Sequence, residues 1–271
     1  MTTVYLTEQG TVLRKKSRRL VVTKGKEVIK EIPAFKIERV LIFGNIQITT
    51  QTLSFLLQSG IETSFLSLNG KFRGRLAPLE SKNVFLRIAQ YERYLDNHFA
   101  TEHAKKIVEA KIKNCRTVVR KYSSIHPEVD FAKTLKTLDE LLIRLSTREK
   151  VATILGIEGQ ATAVYFRAFG KMCRRDLQFL KRTRRPPKDE VNALLSFGYT
   201  LITNEIFSIL SAIGFDSYIG YLHGINYGRP SLALDMVEEF RQPVIDRFTL
   251  KLINKKIFTT EDFEEKEKKG M

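Results

Sequence analysis

Three acidic residues and one histidine lie close together in the chain and could bind a divalent cation. His223 precedes a loop that contains glycine and proline, and Asp235, Glu238 and Glu239 follow on an apolar segment. Asp235 and Glu238 are three residues apart, so on a helix they share one face and could converge with His223 on a metal ion. Such a metal assists phosphodiester chemistry, because it bridges protein carboxylates and a phosphate.

Helical spacing leaves open which glutamate faces this candidate site. Asp235 and Glu238 lie ~60° apart around a helix axis, and Asp235 and Glu239 lie ~40° apart. Arg241 follows Glu238 by three residues, so its guanidinium could hold a phosphate beside the same face. The alternative is an ordinary ion pair between Glu238 and Arg241, which stabilises a protein by only tenths of a kcal/mol.

Glu158 is a further candidate ligand, and its surroundings allow two interpretations. It lies in a stretch of small and apolar residues, 156–166, where an unpaired buried charge would be too costly. It is either a metal ligand on a packed helix or an acid near a helix N-terminus, stabilised by exposed amides. Composition alone favours the second interpretation. His223 is open in the same way, because a lone histidine is more often a core or loop residue bonded to the backbone.

The chain of 271 residues is strongly basic, with 46 Lys and Arg against 30 Asp and Glu and a net charge of +16. This balance favours nucleic acid over a membrane, because no lipid anchor motif or basic amphipathic terminal helix stands out. The segment from Lys171 to Lys188 holds eight basic residues and one acid. We expect it to bind the phosphate backbone, with Arg174 and Lys181 among the contacts.

Several classes of protein are excluded by what the sequence lacks. The two cysteines, Cys115 and Cys173, form no CxxC pair, which argues against a cysteine zinc finger and a disulfide framework and fits a reducing cytosol. Residues 1–20 do not have the pattern of a signal peptide, and no run approaches the ~18–20 apolar residues that span a bilayer. The motifs GxxxxGK[ST], GxGxxG, HExxH and GxSxG are absent. We therefore expect a soluble cytoplasmic protein that is neither a nucleoside-triphosphate motor nor a serine hydrolase.

Short apolar runs separated by glycine or proline predict a strand-rich region over residues 1–80. The predicted strands are Val4–Leu6, Leu20–Thr23, Val28–Ile32, Val40–Phe43 and Thr63–Leu68. Leucines at helical spacing predict one helix over Thr50–Ser59. Asn69-Gly70 predicts a hairpin, because both residues accept the positive φ of a type I′ turn.

After Pro78 apolar residues recur every three or four positions, which predicts helices to about Lys256. Residues 259–271 alternate acids and lysines with almost nothing apolar, so we expect a disordered tail. The sequence thus predicts an α+β fold with a β-rich domain at 1–80, a helical catalytic domain at 81–258 and the tail.

Four ordered motifs resemble the CRISPR-associated integrase and endonuclease family of the adaptation module, which inserts new spacers into a CRISPR array. They are LGIEGQA at 155–161 followed by Tyr165-Phe166, RRPPKDEVNALLSFGY at 184–199, GYLHG at 220–224 and SLALDMVEEFRQP at 231–243. The similarity runs over nearly the whole chain, and motifs of this length are far more specific than a lone glycine motif. One departure is Glu190, where many members have proline.

The resemblance implies a ligand set that spacing left open. The metal ligands of the family, a glutamate, a histidine and an acid, fall on Glu158, His223 and Glu238. Asp235 matches a neighbouring acid that supports the site or contacts nucleic acid. The resemblance thus favours Glu238 over Glu239, and it implies Mg²⁺ or Mn²⁺ as the cofactor.

The resemblance also implies partners. Arg184, Arg185 and Arg241 match positions that look like DNA contacts. The β domain of the family mediates homodimerisation, and two dimers flank a dimer of a small ferredoxin-like protein in a heterohexamer.

Three hypotheses about function are consistent with these residues. The first is a metal-dependent DNA integrase and nuclease, in which a DNA 3′-OH or water attacks a phosphodiester. The second is a non-catalytic nucleic-acid-binding scaffold, in which the acids form ion pairs. The third is a stand-alone metal-dependent nuclease that acts on branched DNA.

Overall fold

The computed structural model of the chain describes residues 2–70, 72–76, 83–174, 177, 179–184 and 186–263. The chain divides into two compact units, Met1–Lys82 and Asn83–Met271. Strands dominate the first unit and helices the second, so the predicted α+β fold class is confirmed.

The first unit contains two four-stranded sheets within its described residues. The strands are β1 (Thr2–Leu6), β2 (Val12–Lys16), β3 (Arg19–Lys24), β4 (Glu27–Pro33), β5 (Ile37–Phe43), β6 (Gln47–Ile48), β7 (Glu62–Leu66) and β8 (Phe72–Leu76). The first sheet has the order β1-β5-β7-β8, with β1, β5 and β7 parallel and β8 antiparallel to β7. The second sheet has the order β4-β3-β2-β6, with β6 parallel to β2.

Apolar side chains from both sheets and from the helix α1 (Thr50–Gln58) form the core of this unit. Leu13, Val40, Ile42 and Leu56 are fully or almost fully buried. Thr49 caps α1, because its side chain accepts the backbone N–H of Thr52. The helix predicted between the strands is confirmed.

Two local features of this unit differ from the prediction. The prediction missed β2, because Leu13 is its one buried residue and the basic residues that follow it are exposed. The turn after β7 is longer than a type I′ turn, since the last paired residues are Leu66 and Phe72. Gly70 takes a φ of 75°, and Asn69 is not among the described residues with positive φ.

The second unit contains seven α-helices within its described residues. They are α2 (Val84–Leu95), α3 (Asn97–Ile125), α4 (Ala132–Ser146), α5 (Val151–Met172), α6 (Glu190–Ile213), α7 (Ser231–Val237) and α8 (Arg247–Asn254). A π-helix, Arg241–Asp246, lies between α7 and α8. The helices α3, α4 and α5 pack together around a core that includes Ile112, Leu138 and Phe169.

Polar residues fix where the long helices begin and end. The side chain of Asp96 accepts the backbone N–H groups of His98 and Phe99 at the start of α3, both at 3.0 Å. Asp189 caps α6 by accepting the backbone N–H of Asn192 at 2.7 Å. Gly214 ends α6 with a φ of 112°, a conformation that glycine adopts without strain.

One helix contradicts the expectation that no segment is long and apolar enough to span a bilayer. Among the described residues, α6 has a window of mean hydropathy 1.4, and by length and composition it could cross a membrane. The same helix contributes Val191, Leu195 and Tyr199 to the helical core. The core helix of a helical domain passes the same test, so the finding is weak evidence for a membrane span.

The first residues of the predicted disordered tail have a defined structure. A short 3₁₀-helix, Thr260–Asp262, forms at its start, and the Thr259 and Asp262 side chains complete a capping box. Phe263 packs partly buried against the helical core. The rest of the predicted tail, 264–271, lies outside the described residues.

Candidate active site

The loop before α7 is held by the carboxylate of Asp235. Its Oδ2 accepts the backbone N–H groups of Tyr221 at 2.6 Å and Leu222 at 2.9 Å. Its Oδ1 accepts the backbone N–H of His223 at 2.9 Å and lies 2.7 Å from the His223 Nδ1. Asp235 is fully buried, and these four bonds use both of its oxygens. Asp235 therefore positions His223.

The contact with Asp235 fixes the tautomer of His223. An ionised carboxylate only accepts hydrogen bonds, so the proton of the neutral ring lies on Nδ1 and the lone pair on Nε2. A metal-binding histidine is held in the same way by a carboxylate behind it. His223 is partly exposed, with 27% of its side chain accessible, and no hydrogen bond to its Nε2 occurs among the described residues, which leaves this atom available to a ligand.

Gly220 allows this loop to approach α7 closely. A Cβ atom at this position would lie 2.6 Å from the Ser231 backbone carbon and 2.8 Å from Oδ2 of Asp235. One neighbour is the Ser231 backbone, and the other is a carboxylate held by four hydrogen bonds. Because neither can move easily, a larger residue would push the loop away from Asp235.

Glu238 follows α7 directly and is buried between two cations. Its Oε1 lies 3.0 Å from Nη1 of Arg241, and its Oε2 lies 2.6 Å from Nζ of Lys111 on α3. Burial raises the pKa of Glu238, but the charges of Lys111 and Arg241 outweigh it and leave the pKa below its usual value. His223 makes the smallest contribution to this lowering of the pKa.

Glu158 reaches the same lysine from α5. Lys111 Nζ donates to Glu158 Oε1, which also accepts a hydrogen bond of 2.8 Å from Oγ1 of Thr162 one turn later. The interpretation of Glu158 as an acid at a helix N-terminus does not fit, because Glu158 lies in the second turn of α5 and faces a buried cation. The two carboxylates of Glu158 and Glu238 thus converge on one nitrogen.

Lys111 is the residue at this site that the sequence interpretation missed. It is 2% exposed. Burial lowers the pKa of its ammonium, but the charges of Glu238 and Glu158 outweigh this effect, so the pKa is raised and Lys111 stays charged. The available indication was its position one helical turn after Ile107 and one before Cys115, on the buried face of α3.

A second contact fixes α3 against the end of α7. Pro243 lies in the π-helix and has no backbone N–H, so it cannot donate to the carbonyl of Glu239 four residues earlier. The side-chain amide of Asn114 on α3 donates to that carbonyl instead, at 2.8 Å. This bond is one residue from Glu238 and three residues from Lys111, so it keeps Glu238 and Lys111 next to each other along the axis of α3.

Arg241 points into the protein rather than toward solvent. Its guanidinium lies 4.9 Å from the ring centroid of Tyr199, a cation–π distance. The Tyr199 hydroxyl donates to Asp246 Oδ1 at 2.5 Å. Asp246 is fully buried, and burial raises the pKa of its carboxyl to about 6. Arg241 therefore connects Glu238 to the buried residues Tyr199 and Asp246.

Three of the predicted DNA contacts, Arg174, Lys181 and Arg184, are exposed, and Arg174 also forms an ion pair. Arg174 pairs with Glu128 at 2.9 Å. Lys181 and Arg184 are exposed, and Arg185 lies outside the described residues. Arg182, which the prediction did not single out, is held by Asn192 and Ser196 and is partly buried.

The donor set suits a hard divalent cation. Two carboxylates already converge on a positive charge, and oxygen ligands with one imidazole are what Mg²⁺ and Mn²⁺ accept. Among the described residues, no three His, Cys, Asp or Glu side chains are close enough together to hold a metal as they stand. Binding of a metal by Glu158, His223 and Glu238 would therefore require side-chain movement around Lys111.

Comparison with known proteins gives consistent matches over most of the chain. A CRISPR-associated endonuclease Cas1 of Thermus thermophilus is 36% identical over 266 residues, which cover 97% of this chain and 78% of the relative. The structure of a CAS1 protein from Thermotoga maritima has a TM-score of 0.85 and 29% identity, and covers 98% of this chain and 84% of that one.

Two solved complexes have similar chains. A casposase bound to integration product has a TM-score of 0.85 and 27% identity, covering 98% of this chain and 77% of that one. A chain of a Cas6-RT-Cas1–Cas2 complex has a TM-score of 0.82 and 26% identity, covering 98% of this chain and 29% of that one. The family described as CRISPR associated protein Cas1 matches residues 4–271. This chain therefore belongs to the Cas1 family.

Proposed function

We propose that this protein is a metal-dependent DNA integrase and endonuclease that inserts short DNA segments into a CRISPR array. The observation that carries the proposal is the convergence of Glu158 and Glu238 on one buried positive charge, the ammonium of Lys111. One buried and one partly buried carboxylate that face a cation, in a protein of net charge +16, suit the transfer of a phosphodiester. The similarity to a Cas1 endonuclease and to a casposase bound to integration product supports the same reaction class.

In the proposed reaction, a DNA 3′-OH attacks a phosphodiester of the target strand. A new phosphorus–oxygen bond forms and the 3′-oxygen of the target strand leaves, whereas attack by water gives hydrolysis. Glu158, His223 and Glu238 would hold Mg²⁺ or Mn²⁺, which when bound polarises the phosphate and stabilises the charge that develops on it.

The remaining residues of the site position these groups. Asp235 keeps the proton of His223 on Nδ1, so that Nε2 faces the reaction. Thr162 orients Glu158, and Arg241 orients Glu238. Because Arg241 is only 13% exposed, we assign it to the support of Glu238 first and to DNA second.

DNA is the proposed partner of the basic segment before α6. Lys181 and Arg184 are exposed and suit the phosphate backbone, and Arg185 is proposed as a contact on the resemblance alone. Arg174 would have to leave Glu128 before it could contact DNA. We further propose, on the family resemblance, a cytoplasmic homodimer that assembles with a small ferredoxin-like protein into a heterohexamer. The similarity to a chain of a Cas6-RT-Cas1–Cas2 complex supports assembly with another protein.

One observation favours the alternative of a non-catalytic DNA-binding scaffold. Lys111 already neutralises charge on both glutamates, as expected for a structural ion-pair cluster. A scaffold would bind DNA in a salt-dependent but metal-independent way and would join no strands.

Strand transfer in vitro distinguishes the two functions. The assay uses a short duplex with free 3′-OH ends and a repeat-containing target, with and without Mn²⁺ and the small partner protein. We expect 3′-end joining that requires Mn²⁺ and that is lost in His223→Ala and Glu238→Gln, while DNA binding persists. Glu239→Gln is the matched control, since this neighbouring acid does not contact Lys111 or Arg241, and it should retain activity. Metal-independent joining, or full activity of Glu238→Gln, would contradict the proposal.

A further inference from the structure

Lys111 is placed where a cation contacts both proposed acidic ligands. Its Nζ donates to Oε1 of Glu158 and lies 2.6 Å from Oε2 of Glu238. The lysine is 2% exposed and Glu238 is 3% exposed, so water screens this contact very little. A buried lysine that makes two ion pairs is not a solvated surface residue.

The position of this ammonium is fixed by the fold. Ile107, Ile112 and Cys115 are buried on the same part of α3 as Lys111. The bond from Asn114 to the Glu239 carbonyl holds this part of α3 beside Glu238. Lys111 therefore does not need a metal or DNA to stay in place.

The charges of the cluster balance without any ligand. Two carboxylates, Glu158 and Glu238, face two cations, Lys111 and Arg241. A divalent cation that entered with Lys111 in place would meet a positive charge on the same oxygens, and repulsion at this distance in a buried site is strong. The ammonium and a metal ion cannot occupy these oxygens together.

We propose that Lys111 is an internal counter-cation that holds Glu158 and Glu238 together without metal, and that it competes with the metal for them. Metal binding then requires the ammonium to withdraw from at least one carboxylate. The competition weakens metal binding, while the charge of the ammonium offsets the repulsion between the two carboxylates. This inference rests on the proposed function, because it takes Glu158 and Glu238 as metal ligands.

The test compares Lys111→Met, which keeps the length of the side chain and removes its charge, with the wild-type protein. Thermal melting in EDTA measures the counter-cation role, and the electron paramagnetic resonance signal of free Mn²⁺ measures metal affinity. We expect the variant to melt several degrees lower in EDTA and to bind Mn²⁺ at least about tenfold more tightly. Lys113→Met is the matched control on the same helix, because Lys113 is 60% exposed and, within the described part of the chain, pairs with Glu109 alone. It should change neither result.

A second variant keeps the test decisive if Lys111→Met does not fold. Lys111→Met combined with Glu158→Gln removes one positive and one negative charge, so it should melt near the wild-type temperature in EDTA. A double variant that is no more stable than Lys111→Met would show that the lysine acts by packing and would overturn the proposal. Unchanged or weaker Mn²⁺ binding by a folded Lys111→Met protein would also overturn it.

These results are separate from the test of the proposed function. Melting in EDTA involves neither metal nor DNA, so it reports on Lys111 even if the protein joins no strands. Failure of strand transfer together with a restored double variant would reject the integrase and leave the counter-cation role standing.

Discussion

The Nδ1 atom of His223 lies 2.7 Å from Oδ1 of Asp235, and the same oxygen accepts the backbone N–H of His223 at 2.9 Å. One carboxylate oxygen thus fixes both the ring and the backbone of the residue that is proposed to face the reaction. The other oxygen fixes the two preceding residues. The position of His223 is therefore as well determined as that of a helical residue, although it lies in a loop.

The first prediction concerns this carboxylate. In Asp235→Asn, one side-chain oxygen becomes an amide that can only donate, and it would face backbone N–H donors. We expect strand transfer to fall by about 10–100-fold, because His223 loses its fixed tautomer and orientation. Single-turnover rates in Mn²⁺ measure the effect, and DNA affinity should stay within about twofold. A rate close to that of the wild type would show that Asp235 does not position His223.

The second prediction concerns the glycine that precedes the loop. Gly220→Ala would place a Cβ 2.6 Å from the Ser231 backbone and 2.8 Å from Asp235. We expect it to lower the free energy of unfolding by about 1–3 kcal/mol, as measured in urea. Gly224→Ala is the control from the same loop, because its Cβ would meet no atom within 4 Å. Equal effects of the two substitutions would contradict the close approach at Gly220.

The third prediction separates two neighbouring arginines. Arg182 donates to Asn192 Oδ1 at 2.8 Å and Ser196 Oγ at 3.0 Å, and its guanidinium lies 5.3 Å from the Tyr199 ring centroid. Arg182→Ala should therefore lower the free energy of unfolding by about 1–3 kcal/mol. Arg184→Ala should leave stability unchanged and should reduce the salt slope of DNA binding by about one.

Urea denaturation and binding at several salt concentrations check both halves of this prediction. If Arg182→Ala were as stable as the wild type and bound DNA with a reduced salt slope, Arg182 would be a DNA contact and not a structural residue. That result would contradict the prediction.

The fourth prediction concerns pH and the buried carboxyl of Asp246. Burial raises its pKa from 3.8 to about 6, so the folded state holds this proton more tightly than the unfolded state. The ionised carboxylate therefore destabilises the fold, by an amount that is absent below about pH 4 and grows as the pH rises through 6. Asp246→Asn removes this charge. Relative to the wild type, its stability should rise between pH 4 and pH 7, by about 3 kcal/mol at most.

Urea denaturation at pH 4, 5, 6 and 7 measures this difference. Asp139→Asn, at a 44% exposed aspartate, should leave the pH profile of stability unchanged. A constant difference between Asp246→Asn and the wild type over this range would contradict the raised pKa.

The sequence indicated the candidate residues that are local in the chain and also Glu158 on α5, but it missed Lys111 on α3. His223, Asp235 and either Glu238 or Glu239 could be identified as candidates because residue type and spacing bring them together within one segment, and the family resemblance favoured Glu238. Their separate roles could not, since Asp235 is defined by a loop that folds back onto α7. Lys111 was missed because its two partners lie on α5 and after α7, and a buried lysine is recognised only by its partners.

The fold shows the same division. Strands with apolar patterns, such as Val40–Phe43, were predicted, whereas β2 was not, because one buried leucine and exposed basic residues resemble a surface loop. The turn at Asn69 was predicted from its two residues alone. The pairing of Leu66 with Phe72 sets its length, and this depends on the whole sheet.

Pro243 has a consequence for how precisely the site is assembled. Because the proline gives no hydrogen to the Glu239 carbonyl, that oxygen is reserved for Asn114 on α3. The hydrogen bond between Asn114 and the Glu239 carbonyl fixes the register of α3 against the end of α7, although the two are far apart in the chain. If α3 slid by one residue, about 1.5 Å, Asn114 would lose the carbonyl in the same movement that took Lys111 away from Glu238. A misaligned site would thus leave a backbone oxygen without its hydrogen bond. The correct alignment of α3 is therefore also the more stable one.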